Sequence, residues 1–532
     1  MNGGGTYTMN GAECLLRTLL AHGVDTCFMN PGTSEMQFVA ALDRVPGMRG
    51  VLCLFEGVCS GAADGYARML RRPAATLLHL GPGLGNGLSN FHNARKARSP
   101  VVSIVGQHTT GHLRCDAPLS ADIEAFARTV SGYVRTLERA EDMGEAAAAT
   151  IRAACAPPGQ IATLIVPADF SWSDGGEPGR PLGPAKPREA APGPGAECVR
   201  EAARILSAGE PAGLLLGGSA LLERGSVAAG QLAAGTDVRV FANRYAARMV
   251  CGGGRFTPQR LAYFPEKAEP MLAGLKHLIL VESQPPISFF GYPGRRSYLA
   301  PEDCALHVLA PIESNGTEAL EALVEACGVG RIAPPAPGPE GTPSRPALPE
   351  GAGLSPDTIG RALASLLPEG SILSDEMVSS GEAILRHLSS AASYDLLPVT
   401  GGAIGQGLPV ALGAALACPD RKVIALEADG SGMYTLQSLW TMAREHLDVV
   451  TVILANHRYR ILDIEIRRTG AREIGRVAND MIDIGRPDLN WVKLAEGLGV
   501  PAARATTADE FIAQFRAAVN QTGPTLIEAL IA

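Results

Sequence analysis

Short apolar runs, most of them rich in valine, isoleucine and leucine, recur along this chain, with helical patterns between them, and that alternation constrains the fold more than any other feature. The runs lie at residues 26–29, 51–55, 74–79, 101–105 and 161–166, then 212–216, 238–242, 278–281 and 305–309, then 372–374, 423–426, 449–454 and 525–529. They are nearly continuous in apolar side chains, so both faces of each sheet need cover. Helices between strands provide that cover and call for parallel connections. The expected class is α/β, built from doubly wound parallel sheets. Locally, Asn10-Gly11-Ala12-Glu13 resembles a capping box, Leu15, Leu16, Leu19 and Leu20 follow at helical spacing, and Gly23 offers a stop.

Two stretches rich in proline and glycine, residues 172–196 and 328–355, break the alternation. Proline removes ladder hydrogen bonds and blocks helix interiors, so both read as extended linkers. They leave three domains, 1–171, 190–330 and 352–532, each long enough for its own core. A net charge of −8 and the lack of a lysine- and arginine-rich block point away from nucleic acid. No apolar run approaches the roughly 18–20 residues that span a bilayer, so no membrane partner is expected. The first residues, MNGGGTYTMN, have neither a basic start nor an apolar run, and no secretory signal is expected there. Eleven cysteines without a CxxC pair suit reduced thiols and a cytoplasmic location.

Ligands of open α/β sheets sit beyond the C-terminal ends of strands. Residues 423–426 are followed by Glu427-Ala428-Asp429-Gly430-Ser431, and residues 449–454 by Ala455-Asn456-His457-Arg458-Tyr459. Asp429 and Asn456 are 27 residues apart, each just past an apolar run. On neighbouring strands their oxygens reach one spot, and a carboxylate, an amide oxygen and backbone carbonyls suit Mg²⁺ with phosphate oxygens. Gly430 and Ser431 would open a helix whose free N–H groups favour an anion. Taken singly, the same residues read as a helix cap and a turn.

The DGS…N arrangement resembles the thiamine diphosphate motif. The chain is similar to the thiamine diphosphate-dependent decarboxylase and acetohydroxyacid synthase family. Other segments agree in order: Asn30-Pro31-Gly32-Thr33; Glu56 ahead of Ala62-Ala63-Asp64-Gly65-Tyr66-Ala67-Arg68; Gly81-Pro82-Gly83 before Gly85-Asn86-Gly87; and Thr400-Gly401-Gly402-Ala403-Ile404-Gly405 before Gly407-Leu408-Pro409. Ala428 stands where the family has glycine, and Ala455 where asparagine is common. The resemblance implies a pyrimidine-binding domain, a central Rossmann-like domain and a diphosphate-binding domain, in that order.

It also implies roles. Glu56, expected at the end of strand 51–55, would hydrogen-bond N1′ of the aminopyrimidine and so promote the ylid, after which the cofactor does the carbanion chemistry. Ile404 would wedge between the cofactor's rings, and the carbonyl of Gly402 would accept from the 4′-amino group. Ser379 and Ser380 would donate to the diphosphate, or equally cap the next helix. Thr33 and Tyr459 join the cofactor set, and Arg458 joins Asp429 and Asn456 at the metal. His79, ending its strand, resembles the histidine of benzoylformate decarboxylase that faces the reacting carbon, where a histidine can move protons both ways; a structural histidine is the alternative. Gln107 resembles the glutamine that carboligating members place beside the substrate, or caps its own loop. Ile461, just past Tyr459, would narrow the pocket for a small acyl donor. Gly217-Gly218 suggests a Rossmann-like turn, but the central domain carries no clear fingerprint and FAD is not expected.

The implied function is decarboxylation of a small-molecule 2-oxo acid, with thiamine diphosphate and Mg²⁺, followed by acyloin or acetohydroxy acid carboligation of the acetolactate synthase kind. The alternatives are a simple 2-oxo acid decarboxylase like benzoylformate decarboxylase, and a catalytically silent homologous subunit. A homodimer or a dimer of dimers is the implied assembly.

Overall fold

The computed structural model describes residues 9–180, 193–330, 345–471 and 474–531. Of the two expected linkers, residues 181–192 of the first and 331–344 of the second lie outside the described residues, and the flanking residues of each are described. The chain forms three α/β domains, each around a parallel or mostly parallel sheet.

The first sheet contains β1 (Thr26–Asn30), β2 (Arg49–Leu52), β3 (Ala74–Leu78), β4 (Val101–Gln107), β5 (Tyr133–Thr136) and β6 (Ile161–Pro167), in the order β2-β1-β3-β4-β6-β5. The second contains β7 (Ala212–Leu216), β8 (Arg239–Ala242), β10 (Gln259–Arg260), β11 (His277–Val281) and β12 (Ala305–Ala310), in the order β10-β8-β7-β11-β12. The third runs β17-β18-β16-β15-β13-β14-β9. Its strands are β9 (Met249–Cys251), β13 (Ser371–Glu376), β14 (Tyr394–Pro398), β15 (Val423–Ala428), β16 (Val449–Ala455), β17 (Ala502–Ala505) and β18 (Thr525–Leu530). Only β9 is antiparallel to its neighbour, β14, within these sheets. It comes from the sequence between the second sheet's strands, so the third sheet is not confined to the C-terminal residues. Asp395 of β14 secures this edge by pairing with both Arg248 and Arg421 at 2.6 Å.

The apolar runs become strands because their side chains are buried on both faces: β3, β6, β7, β13 and β16 are buried at every residue. The run 51–55 differs from expectation. Its strand is Arg49–Leu52, and Glu56 is the first residue of the helix Glu56–Leu70. At the N-terminal helix, Asn10 accepts from the Glu13 N–H at 2.9 Å, a cap worth about 1 kcal/mol. The reciprocal half of the box is absent because the Glu13 carboxylate turns to Arg44.

By contact the chain divides into two compact units. One holds residues 1–188, 400–418 and 435–445; the other holds 189–399, 419–434 and 446–532. In the first, the helices Glu56–Leu70 and Gly407–Ala417 lie almost backbone to backbone. A Cβ on Gly65 would stand 2.2 Å from the Val410 carbonyl oxygen, and one on Gly413 1.9 Å from that of Ala62. Only hydrogen fits at either place. Among the described residues, no helix is long and apolar enough to cross a membrane.

Candidate active site

The C-terminal edge of the first sheet gathers the first cluster. Glu56 is 7 % exposed and accepts from the Asn86 amide at 3.0 Å through one carboxylate oxygen. A Cβ on Gly83 would lie 3.3 Å from the other oxygen and 3.3 Å from the His79 Cβ, so the bare glycine keeps that side of Glu56 open. His79 precedes the helix Leu80–Ala97, and its Nδ1 lies 2.8 Å from Glu35 Oε2. Glu35 was not foreseen. It is buried, its Oε2 also accepts from the Gly32 N–H at 2.9 Å, and its Oε1 has no hydrogen-bond partner among the described residues. Burial raises the Glu35 pKa, and the adjacent His79 charge opposes that shift. The two side chains meet because β1 pairs with β3, Asn30 opposite Leu78, which places the loops that follow side by side. Thr33 is exposed in this turn.

Gln107 ends β4 and accepts from the His108 N–H at 2.8 Å, which is the loop-capping alternative. It also lines a cavity of about 320 Å³ with Leu113, Asp116, Ser120, Ala121 and Asp122.

The loop carrying Gly402 and Ile404 lies in this same unit, with Glu56. Gly402 has φ +80°, a left-handed position natural to glycine, and Ile404 is half-buried ahead of the helix Gly407–Ala417. The helix Leu80–Ala97 clamps the loop. Asn93 donates to the Ala403 carbonyl at 2.8 Å and accepts from its N–H at 3.2 Å. Asn90 donates both to Gly57, beside Glu56, at 2.9 Å and to Gly405, beside Ile404, at 3.0 Å. From the other side, Arg68 donates to Thr400 at 3.0 Å, while Gln406 donates to Asp64 at 3.0 Å. The Asp-Gly-Tyr-Ala-Arg segment is thus a buried anchor for this loop.

The second unit holds the remaining residues. β15 and β16 are paired, so Asp429 and Asn456 follow adjacent strands. Asp429 is buried; Oδ1 accepts from the Gly430 N–H at 2.9 Å, and Oδ2 from Asn456 and His457 at 3.0 and 2.7 Å. Burial raises its pKa, and these three N–H groups oppose the shift. The Asn456 side-chain oxygen accepts from the Arg458 N–H at 3.0 Å. The Arg458 side chain turns to Asn479 at 2.8 Å, so a metal role would fall to its backbone. Tyr459 covers Gly430: a Cβ there would lie 2.4 Å from the ring. Ala428 sits at φ −79°, where no glycine is needed. Gly430 and Ser431 belong to a single helical turn, Asp429–Gly432, shorter than the helix expected. Ser379 and Ser380 lie in the turn Val378–Ser380 after β13, Ser380 buried. Ile461 is half-buried in the helix Arg460–Arg468.

The oxygen donors fit a hard cation: a buried carboxylate, a side-chain amide oxygen and backbone carbonyls. Among the described residues, no group of three or more His, Cys, Asp or Glu is placed to hold a metal ion. In the central domain, the Gly217-Gly218 turn faces a carboxylate of the chain itself. Glu282 accepts there from the N–H and hydroxyl of Ser219, the latter at 2.6 Å, and from Ala220 at 3.2 Å.

Comparison with known proteins assigns these three α/β domains to a thiamine diphosphate-binding class. Residues 9–126 match the thiamine pyrophosphate enzyme N-terminal TPP binding domain, and residues 382–529 its C-terminal TPP binding domain. The chain belongs to the thiamine pyrophosphate enzyme family, among enzymes of the acetolactate synthase and benzoylformate decarboxylase kind. It is 49 % identical over 98 % of its length to the "Putative acetolactate synthase large subunit IlvX" of Mycobacterium tuberculosis, covering 99 % of that protein. It is 30 % identical to the benzoylformate decarboxylase of Pseudomonas aeruginosa, with 96 % of each chain covered. In fold it is similar to the thiamine diphosphate-dependent 4-hydroxybenzoylformate decarboxylase of Rhodococcus jostii, with a TM-score of 0.84, 24 % identity, and 98 % and 99 % of the two chains covered.

Proposed function

We propose that this protein decarboxylates a 2-oxo acid with thiamine diphosphate and Mg²⁺ and joins the remaining acyl unit to a carbonyl acceptor, as an acetolactate synthase does. The observation that carries the reading is Glu56: a buried carboxylate held by Asn86, with an oxygen left open toward Gly83. When bound, the cofactor supplies the electron sink for the bond that breaks. Glu56 holds the proton at the cofactor's N1′. Ile404 shapes the ring pocket and the Gly402 carbonyl accepts from the 4′-amino group. Asp429, Asn456 and the Arg458 carbonyl hold Mg²⁺, with Gly430, Ser431, Ser379, Ser380, Thr33 and Tyr459 completing the cofactor's surroundings. Gln107 orients the substrate. Glu282 keeps the central turn for itself, which supports a domain without FAD.

A second reading, release of an aldehyde, has its own support in the His79–Glu35 pair. A histidine held by a buried carboxylate can deliver a proton to the acyl carbon and so end the reaction without an acceptor. Following the family resemblance, the proposal includes a homodimer, or a dimer of dimers, in a cytoplasmic setting.

The test incubates the protein with thiamine diphosphate, Mg²⁺ and a panel of 2-oxo acids and identifies products by mass. Hydroxy-ketone products support carboligation and aldehydes support the second reading. No CO₂ from any 2-oxo acid, with no exchange of the C2 proton of the cofactor, overturns both and leaves a silent subunit.

A further inference from the structure

The second unit contains a guanidinium that, among the described residues, has no hydrogen-bond or ion-pair partner. Arg244 follows β8, at the end of the strand where α/β sheets place ligands. It is half-buried, and among the described residues its guanidinium makes neither a hydrogen bond nor an ion pair. Arg260 occupies the groups nearby: it donates to the Arg244 carbonyl at 3.2 and 3.0 Å and pairs with Asp375 at 3.3 Å. Burial first, and the Arg260 charge second, bring the Arg244 pKa down to about 10, so it remains a cation at neutral pH. A desolvated charge without a partner is costly to keep, and such groups concentrate at functional sites.

Aromatic rings adjoin it. Tyr245 is the next residue, and the Phe289 ring centre lies 5.6 Å from that of Tyr245 and 5.3 Å from that of Tyr263. Neighbouring Ile287 and Phe290 are 57 % and 51 % exposed, so the patch is open. It also borders the third sheet's C-terminal edge: Asp375, which pairs with the same Arg260 that donates to the Arg244 carbonyl, is in register with Leu426, three residues before Asp429.

We propose that Arg244, with Tyr245, Tyr263 and Phe289, binds an organic carboxylate with an apolar, ring-like body, and that this carboxylate remains in the product. The inference rests on the reading of the site as a 2-oxo acid decarboxylase. A guanidinium matches a carboxylate in a bidentate pair, and the rings cover the body. The carboxylate held is not the one lost, because a cation on the departing group would stabilise the ground state and oppose its release. In the reaction the donor's C1–C2 bond breaks, CO₂ leaves, and the electron pair left on C2 forms the new bond to the acceptor's carbonyl carbon, whose oxygen takes a proton. Arg244 takes part in none of these steps. It selects either an acceptor 2-oxo acid or the remote acid of a dicarboxylic donor.

The test uses the protein loaded with thiamine diphosphate and Mg²⁺, as wild type, Arg244→Gln and Arg244→Lys. Calorimetry with benzoate should show binding that weakens about 10- to 100-fold in Arg244→Gln, the loss expected for a charged hydrogen-bonded pair, and returns in part in Arg244→Lys. Neutral benzamide should not distinguish the variants. In turnover, a KM increase of similar size for a second 2-oxo acid identifies the acceptor as the source, and one for a 2-oxo diacid identifies the donor; both support the proposal. Equal benzoate affinity in wild type and Arg244→Gln, or no benzoate binding at all, overturns it. So does a fall in thiamine diphosphate affinity matching the fall for benzoate, since the anion would then be the diphosphate. If no 2-oxo acid is turned over, the functional reading fails by itself, while benzoate binding still decides the role of Arg244.

Discussion

Strain and buried charge collect where the strands end. Of eight non-glycine residues with positive φ among those described, Leu80, Glu282, Val378 and His457 all come shortly after a strand's C-terminus. A β-branched residue such as Val378, at φ +48°, holds that shape only where its surroundings impose it. Glu56, Asp429 and Asn456 could be read from the sequence because each lies just beyond an apolar run. Glu35 could not: it looks like a capping residue, and its meeting with His79 depends on which strands pair. Two predictions belong at this scale. Glu56→Gln preserves shape but not charge, so the variant should retain cofactor while turnover falls by at least about 10²-fold, with C2 proton exchange falling in parallel. Normal exchange in that variant would falsify the assigned role. The second concerns Glu35, whose folded-state pKa is raised by burial. Its contribution to stability is complete below the unfolded value, about 4.3, and is lost as pH rises through the raised folded value. Relative to Glu35→Gln, the wild type should therefore lose unfolding free energy from about pH 4 upward, as read by urea titration at a series of pH values. A flat difference would remove burial as the dominant influence on this carboxylate.

Among the elements, the strands that the sequence revealed are the long apolar ones, and those it concealed have physical reasons for being hidden. β14 (YDLLP) contains an aspartate and ends in proline, yet its Asp395 is compensated by two arginines from elsewhere in the chain. β9 has three residues and takes its place only by adding to an edge formed far away in sequence. The glycine-rich segments were legible as motifs but not as packing surfaces. Gly65 and Gly413 let two helices touch, which fixes Glu56 at the head of one relative to Ile404, just ahead of the other. Gly413→Ala should thus cost about 1–3 kcal/mol through overpacking. Asn93→Ala should act differently. It removes a pair of hydrogen bonds to Ala403 without disturbing the helix contact, so the fold should persist while the 400–406 loop loosens. Hydrogen exchange on the cofactor-free proteins distinguishes the two: faster exchange confined to the loop in Asn93→Ala, and along both helices in Gly413→Ala. Uniform protection in Asn93→Ala would show that the loop is held by other contacts.

For the whole molecule, the sequence divided the chain at its proline-rich stretches, whereas packing groups it differently. Residues 400–418 and 435–445 join the unit of the first sheet and take Gly402 and Ile404 with them, while Asp429 and Asn456 remain in the other. Local composition marks where a chain is extended, but it does not record which surfaces bury each other. Residues proposed for a single cofactor are thus distributed over two units, and a symmetric dimer offers two equivalent places for them to meet. Asp429→Ala should lose metal-dependent cofactor retention, because the remaining amide and carbonyl oxygens carry no full charge. It should be inactive, as should Glu56→Gln. If each site takes Glu56 from one protomer and Asp429 from its partner, a hybrid of the two variants contains one site with both defects and one with neither. Mixing the proteins under subunit exchange should then restore activity, up to about one quarter of the wild-type value per protomer, since random pairing gives half hybrids and each has one of two sites intact. Hybrids demonstrated by mass but without activity would place Glu56 and Asp429 of each site within a single chain, and a fully active monomer in sedimentation would do so directly.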